Sequence, residues 1–357
     1  MKTAERRKRA VNAFAEAKLD AFLVTNLHNV RYLAGFTGSN GALLLYRDRP
    51  PVFFTDSRYA VQSSQEVDCK TRVANGPLLD LVTREMEKTR PKRVGVEQDE
   101  ITLARVEALK KKLPARSELA GVSGLIENLR MVKDAEEIGL IRASVELNSR
   151  ALENALRRFK AGMRERELAA EIDYQSRKLG AEAPSFDTIV AAGARAALPH
   201  AHPGGAKIGP GMVLIDMGAF RDGYASDMTR MVHIGAPSPK YKKAYKAVLE
   251  AQLAAIDAVR AGAASVAVDR AARRALKGHG LEKEFIHSTG HGLGLEIHEP
   301  PRLGRRDKTK LAAGMAITIE PGVYMEGWGG IRIEDTVLVT DNACEILTPT
   351  SKELRVI

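Results

Sequence analysis

The chain has 357 residues, 44% of them hydrophobic and 28% charged, a composition ordinary for a folded protein and long enough for two domains with a substantial core. The net charge of +10 comes from Lys and Arg scattered along helical segments, and the densest cluster, Arg6-Arg7-Lys8-Arg9, has no aromatics on which bases could stack, so a solvated basic surface is favoured over nucleic-acid binding. No run approaches the ~18 apolar residues of a membrane span, the basic start lacks an apolar signal core, and Cys69 and Cys344 make no redox or metal pattern, which together argue for a reducing, cytoplasmic setting without membrane contact.

The first part of the chain alternates helix and strand. Residues 3–18 have helical spacing, and 21–24, 42–46 and 52–54 read as strands, the last two joined by the turn Asp48-Arg49-Pro50-Pro51. Helix over 56–65, strand over 70–74, helix over 78–88, strand over 94–97 and a helix from Leu103 follow. The alternation predicts an α/β layer with a mostly parallel or mixed sheet. Nothing here clusters chemistry; His28, alone in Asn26-Leu27-His28-Asn29, reads as a loop residue or a satisfied side chain.

Long amphipathic helices begin near residue 125, in 125–129 and then MVKDAEEIGLIRASVELNSRALENAL, so the domains are expected at 1–125 and 126–357. Further helical spacing covers 164–179 before the chain turns strand-rich at 188–191. Within Pro199-His200-Ala201-His202-Pro203 the prolines favour an extended loop, which projects the two histidines to one side; loop polarity explains them equally well.

Two strands, 212–220 and 224–234, then flank Asp222-Gly223, a two-residue hairpin signal because both loop positions need φ > 0. That turn sets Arg221 against Tyr224 and Asp216 against Thr229, with Asp227 diagonal to Asp216 on the same face. Two carboxylates so placed repel each other and lose hydration, and a cation between them removes the penalty. The alternative is one turn aspartate and one solvated aspartate, but Val213-Leu214-Ile215 and Met217 around Asp216 argue for burial.

Helices over 240–277 lead to FIHSTGHGLGLEIHEPP, which holds His287, His291 and His298, three of the chain's eight histidines. The glycines beside His291 and the closing prolines disfavour a long helix and let the backbone approach something closely, as a ligand in a tight loop requires. In the last strand pair, 315–320 and 331–339, period two puts Thr318 with Glu320 and Arg332 with Glu334 on polar faces. Either a one-sided sheet faces water or a polar cleft lies between packed layers; the very apolar flanks favour the cleft.

Asp216, Asp227, His291, Glu320 and Glu334 supply four carboxylates and one imidazole. A single zinc takes about four ligands rich in His or Cys. Four carboxylates instead match two divalent cations roughly 3.5–4 Å apart, with a bridging water held as hydroxide. Oxygen-rich ligation with one nitrogen favours Mn2+, with Co2+, Zn2+ or Fe2+ also accommodated. The chemistry is then hydrolysis, with the hydroxide attacking a polarised carbonyl and Glu320 passing the proton to the leaving nitrogen.

These residues, in order within VLIDMGA, ASDMTR, STGHGLGLEIHE, TIEPGVY and GGIRIEDT, closely resemble the proline-specific "pita-bread" metallopeptidases, the Xaa-Pro aminopeptidases (aminopeptidase P) and Xaa-Pro dipeptidases (prolidases). The resemblance covers essentially the whole chain, including the hinge LRMVKDAEEI. It implies an α/β creatinase-like N-terminal domain followed by an α+β pita-bread catalytic domain. By position, Asp216 chelates one metal, Asp227 bridges both, His291 and Glu320 complete the second site, and Glu334 bridges from the far strand. His287 and His298 match histidines that stabilise the tetrahedral intermediate and hold substrate. His200 matches a histidine bordering the substrate pocket, with His202 as the other candidate, and Arg332 matches the arginine that buttresses the site in the proline-specific branch.

The resemblance thus implies a dinuclear exopeptidase cleaving Xaa-Pro bonds in short proline-containing peptides, working as a homodimer through the N-terminal domain. Aminopeptidase and dipeptidase specificity are both open, since no arginine stands out to bind a free carboxylate beside proline. The methionine aminopeptidase branch usually lacks the N-terminal domain and the arginine, and creatinase lacks the full ligand set. The alternative from another class is a metal-free pita-bread pseudoenzyme that binds RNA or protein, but relatives of that kind lose metal ligands and this chain keeps all five.

Overall fold

A computed structural model describes residues 2–357, which form two compact units, one ending at Arg130 and the other beginning at Met131.

The N-terminal unit is built on a mixed sheet of strands in the order Lys70–Ala74, Val52–Asp56, Gly41–Tyr46, Ala21–Val24, Arg93–Glu97 and Glu118–Val122. Only Gly41–Tyr46 runs against its neighbours; the other pairings are parallel. Ala21–Val24 and Gly41–Tyr46 are buried along their whole length, so they appear in the sequence as continuous apolar runs without alternation. The edge strand Glu118–Val122 is partly exposed and carries no such run, and sequence periodicity misses it.

His28 lies on a helix, Leu27–Ala34, rather than in the expected loop. Asn26 caps it, its Oδ1 accepting the His28 and Asn29 N–H groups at 2.8 and 3.2 Å, and Gly35 ends it at φ 77°. Two turns are too short for an apolar period to emerge, so only the caps announce this element.

The second unit opens with Ala135–Leu156, started by a capping box in which Asp134 and Glu137 satisfy each other's backbone N–H groups. That cap separates it from the short helix Leu125–Arg130, which belongs to the first unit. Ala135–Leu156 and Glu165–Lys178 pack through Leu152, Ala155, Leu168 and Ile172 against one face of the strands Ile189–Ala192, Gly211–Met217 and Met228–Ile234. The helices Pro239–Asp257 and Ser265–Gly278 share a second core with Met212, Leu214 and Met231 of the same sheet. Alternation sorts the strand accordingly. Val213, Ile215 and Met217 belong to the first core, so Asp216 points to the other face, with Met212 and Leu214.

The hairpin has the register its turn dictates. Asp222 and Gly223 have φ of 52° and 78°, Arg221 pairs with Tyr224, and Asp216 pairs with Thr229. The last strand pair is more divided than the sequence suggests. Ala316–Ile319 pairs with Asp335–Val339 in a five-stranded sheet, whereas Gly322–Met325 and Gly329–Arg332 form a separate hairpin. Pro321 follows one partner and Ile333-Glu334 interrupts the other, so Glu320 and Glu334 both sit at strand ends, where the backbone leaves the ladder.

Candidate metal centre

Each acidic candidate is fixed by a sheet, but mostly at its margin. Asp216 is on Gly211–Met217, Asp227 directly precedes Met228–Ile234, Glu320 directly follows Ala316–Ile319, and Glu334 lies between Gly329–Arg332 and Asp335–Val339. His291 is the middle residue of Gly290–Gly292. The glycines on either side are required by neighbouring backbone: a Cβ at 290 would stand 1.9 Å from the Thr318 carbonyl oxygen, and one at 292 would stand 2.3 Å from that of Pro300. The glycine pattern thus lets three chain segments close around one imidazole.

Nine of the ten site residues named from the sequence, Asp216, Asp227, His291, Glu320, Glu334, His200, His287, His298 and Arg332, line one cavity of about 710 Å³. His202 does not. A turn at Pro199-His200 breaks the extended alternation expected there; His200 faces the cavity, and His202 is exposed with its carbonyl accepting from Arg195 Nη2 at 2.7 Å.

Asp227, His291 and Glu334 each bring one donor atom to within 4.8 Å of the others. His291 Nδ1–H donates to the Gly292 carbonyl at 2.9 Å, so Nε2 aims at Asp227 Oδ2, 3.4 Å away, and Glu320 Oε1, 3.7 Å away. Asp216 stands beside this group in a buried ion pair, its Oδ2 2.5 Å from Arg332 Nη2. Its other oxygen, Oδ1, is buried without a hydrogen-bond partner among the described residues.

Burial, then the charges of Asp216 and Glu320, push the Asp227 carboxyl well above the usual carboxylate range. Burial and the charges of Asp227, Glu320 and Asp216 do the same to Glu334. Burial also raises Glu320, against the pull of His291 and Arg332. Four carboxylates, one of them with an orphaned buried oxygen, and one imidazole make a donor set that divalent cations fit.

Sequence reasoning missed the side chains that hold this set. Thr229 Oγ1 donates to Glu334 Oε2 at 2.7 Å and accepts from Arg332 Nε at 2.9 Å. Tyr324 accepts from Arg332 Nη1 at 2.7 Å and meets His287 Nε2 at 2.9 Å; because His287 Nδ1–H donates to the Ser288 carbonyl at 2.8 Å, the tyrosine is the donor to Nε2. Burial, then the charge on Arg332, lowers the His287 pKa to about 4, so its ring is neutral. His298 is lowered too, by burial and then by His291. Both Thr229 and Tyr324 lie inside motifs already singled out, but their partners are far off in sequence. Lys133 and Glu299, a buried ion pair at 3.1 Å, and Arg302, on the cavity wall, were also missed; among the described residues Arg302 forms no ion pair.

The chain matches the family model of metallopeptidase family M24 over residues 139–341 and that of the creatinase/prolidase N-terminal domain over residues 6–132. It is 37% identical to the Xaa-Pro dipeptidase of Pyrococcus furiosus over 352 residues, covering 98% of this chain and 99% of the relative. A solved Xaa-Pro dipeptidase from Bacillus anthracis superposes with a TM-score of 0.96 at 39% identity, covering 99% of this chain and 100% of that one. An X-Pro aminopeptidase from Thermotoga maritima superposes with a TM-score of 0.90 at 36% identity, covering 97% and 100%.

Proposed function

The chain belongs to metallopeptidase family M24 and is a hydrolase, and from that premise we propose that it is an exopeptidase cleaving Xaa-Pro bonds in short peptides. The observation that carries the reading is the convergence of nine expected side chains on one cavity, with a cluster of buried carboxyls that disfavour one another's charge and that cations would relieve. A metal-free binding protein is not favoured, because all five donors are present together.

Asp216, Asp227, His291, Glu320 and Glu334 would hold two divalent ions, Mn2+ first among them. Bound there, such ions supply Lewis-acid polarisation of the scissile carbonyl and a water acidic enough to attack at neutral pH. Glu320, on the cavity wall beside His291, carries a proton to the leaving nitrogen. His298, its pKa lowered by burial and then by His291 and its ring nitrogens bonded to no other side chain among the described residues, donates to the substrate. His287 has both nitrogens engaged and shapes the wall instead, while His200, also on the wall, borders the substrate. Arg332 is committed to Asp216, which leaves Arg302 as the cation that meets the free carboxylate of a dipeptide. Dipeptide substrates are therefore preferred.

We further propose a cytoplasmic homodimer joined through the N-terminal domain, with neither nucleic acid nor membrane as partner; among the described residues no helix is long and apolar enough to cross a membrane. Hydrolysis of Ala-Pro compared with Ala-Pro-Ala, with and without added Mn2+, tests the reading. Cleavage that requires the ion and favours Ala-Pro is expected; no cleavage of either peptide with any of the four candidate ions would overturn it.

A further inference from the structure

Behind the cavity, one buried arginine that the proposed chemistry does not use ties the metal-bearing strands together. Arg230 is 4% exposed and satisfies all five of its N–H donors. Nε donates to the Ser351 carbonyl at 3.0 Å; Nη1 donates to the Thr229 carbonyl at 3.0 Å and to the Glu334 carbonyl; Nη2 donates to Asp335 Oδ1 at 2.7 Å and to the Thr350 carbonyl at 2.6 Å. The acceptors come from three segments: the strand after Asp227, the bend that carries Glu334, and the C-terminal stretch.

Each of those segments is anchored again. Thr336 Oγ1 donates to the carbonyl of Asp227 at 3.0 Å, and the Glu334 N–H donates to the Thr229 carbonyl at 3.2 Å. Asp335, fully buried, also accepts from Gln252 Nε2 at 2.8 Å and Lys352 Nζ at 2.7 Å. The C-terminal stretch is held by Tyr245, whose hydroxyl donates to the Lys352 carbonyl at 2.8 Å, and it continues as Arg355–Val356, pairing in parallel with Met228–Ile234.

A planar guanidinium holds its acceptors at fixed mutual positions, which a flexible ammonium cannot do. We propose that Arg230, clamped by Asp335 and the strap 350–352, is a positioning residue for the metal centre: it sets the separation of Asp227 and Glu334 and thereby the affinity for the ions, touching neither ion nor substrate. The proposal rests on reading those carboxylates as metal ligands.

The test measures Mn2+ stoichiometry and dissociation constants calorimetrically for the wild-type chain, Arg230→Lys and Lys352→Met, each well below its own unfolding temperature and with circular dichroism verifying the fold. Arg230→Lys keeps the charge but loses the planar fork, and Lys352→Met reaches the strap from its partly exposed side, at 19% side-chain exposure. At least tenfold weaker binding of one ion is expected in Arg230→Lys, and weaker binding by about threefold in Lys352→Met, which keeps Arg230 and loses one of two cations on Asp335. Wild-type affinities in both folded variants, with only the unfolding temperature lowered, would reduce Arg230 to a structural residue and overturn the proposal. A wild-type chain that takes up no ion would overturn the metal reading as well, and its own titration distinguishes that outcome from the first.

Discussion

Arg332 Nη2 lies 2.5 Å from Asp216 Oδ2, and both groups are buried. The same guanidinium reaches Thr229, Tyr324 and the Pro199 carbonyl, so one side chain neutralises an acid, orients a second through Thr229, and holds the loop before His200. Removing one member of a buried pair leaves the other charge uncompensated, at a cost of about 3–5 kcal/mol. Arg332→Met is therefore expected to lower the stability of the metal-free protein by that order in urea unfolding, and its kcat/KM by about a hundredfold. A loss under about 1 kcal/mol would show that Asp216 needs no partner there.

Asp227→Asn and Glu334→Gln each take a negative charge out of a cluster whose members raise one another's pKa. Activity is expected to fall by on the order of a hundredfold or more, since even groups beyond the direct ligands cost 10–100-fold. The fold survives, and the metal-free variants melt higher than the metal-free wild type because repulsion is relieved. Peptide turnover and thermal unfolding of the metal-free forms check both halves.

The same shifts set a pH dependence. Asp227, Glu320 and Glu334 have folded-state pKa values raised above their unfolded ones. Their contribution to the stability of the metal-free protein is fully present below the ordinary carboxylate range and is lost as pH rises through the raised values. Bound cations reverse that loss, because they bind the deprotonated form. The difference in unfolding temperature between metal-loaded and metal-free protein is expected to widen from pH 5 to pH 8. A constant difference would contradict the carboxylate assignments.

How much of this is legible in the sequence depends on how local the signal is. Asp222-Gly223 determines a hairpin by itself, and the register of Asp216 against Thr229 follows from it with no knowledge of the rest of the fold. The glycines around His291 likewise advertise a close approach, although not that Thr318 and Pro300 are what they approach. The helix around His28 is announced only by its caps. Thr229 with Glu334, Tyr324 with His287, and Arg230 with the C-terminal strap are pairings made across distant parts of the chain, and no periodicity encodes them. Pro199-His200 shows the opposite failure, in which a sound local rule for extended chain was overridden by a turn.

Arg302→Met tests substrate choice. A charge-assisted hydrogen bond to a carboxylate contributes about 1.5–3 kcal/mol. KM for Ala-Pro is expected to rise at least tenfold, with a much smaller change for Ala-Pro-Ala, whose carboxylate lies one residue further on. Equal effects on the two peptides would remove Arg302 from substrate recognition.

A two-ion centre is tested most directly by the number of ions the cavity holds. Titration of metal-stripped protein with Mn2+, followed calorimetrically and by elemental analysis after dialysis, is predicted to give two ions per chain and to lose at least one of them in Asp227→Asn. A chain that binds none, or an Asp227→Asn variant that still binds two with undiminished affinity, would contradict it.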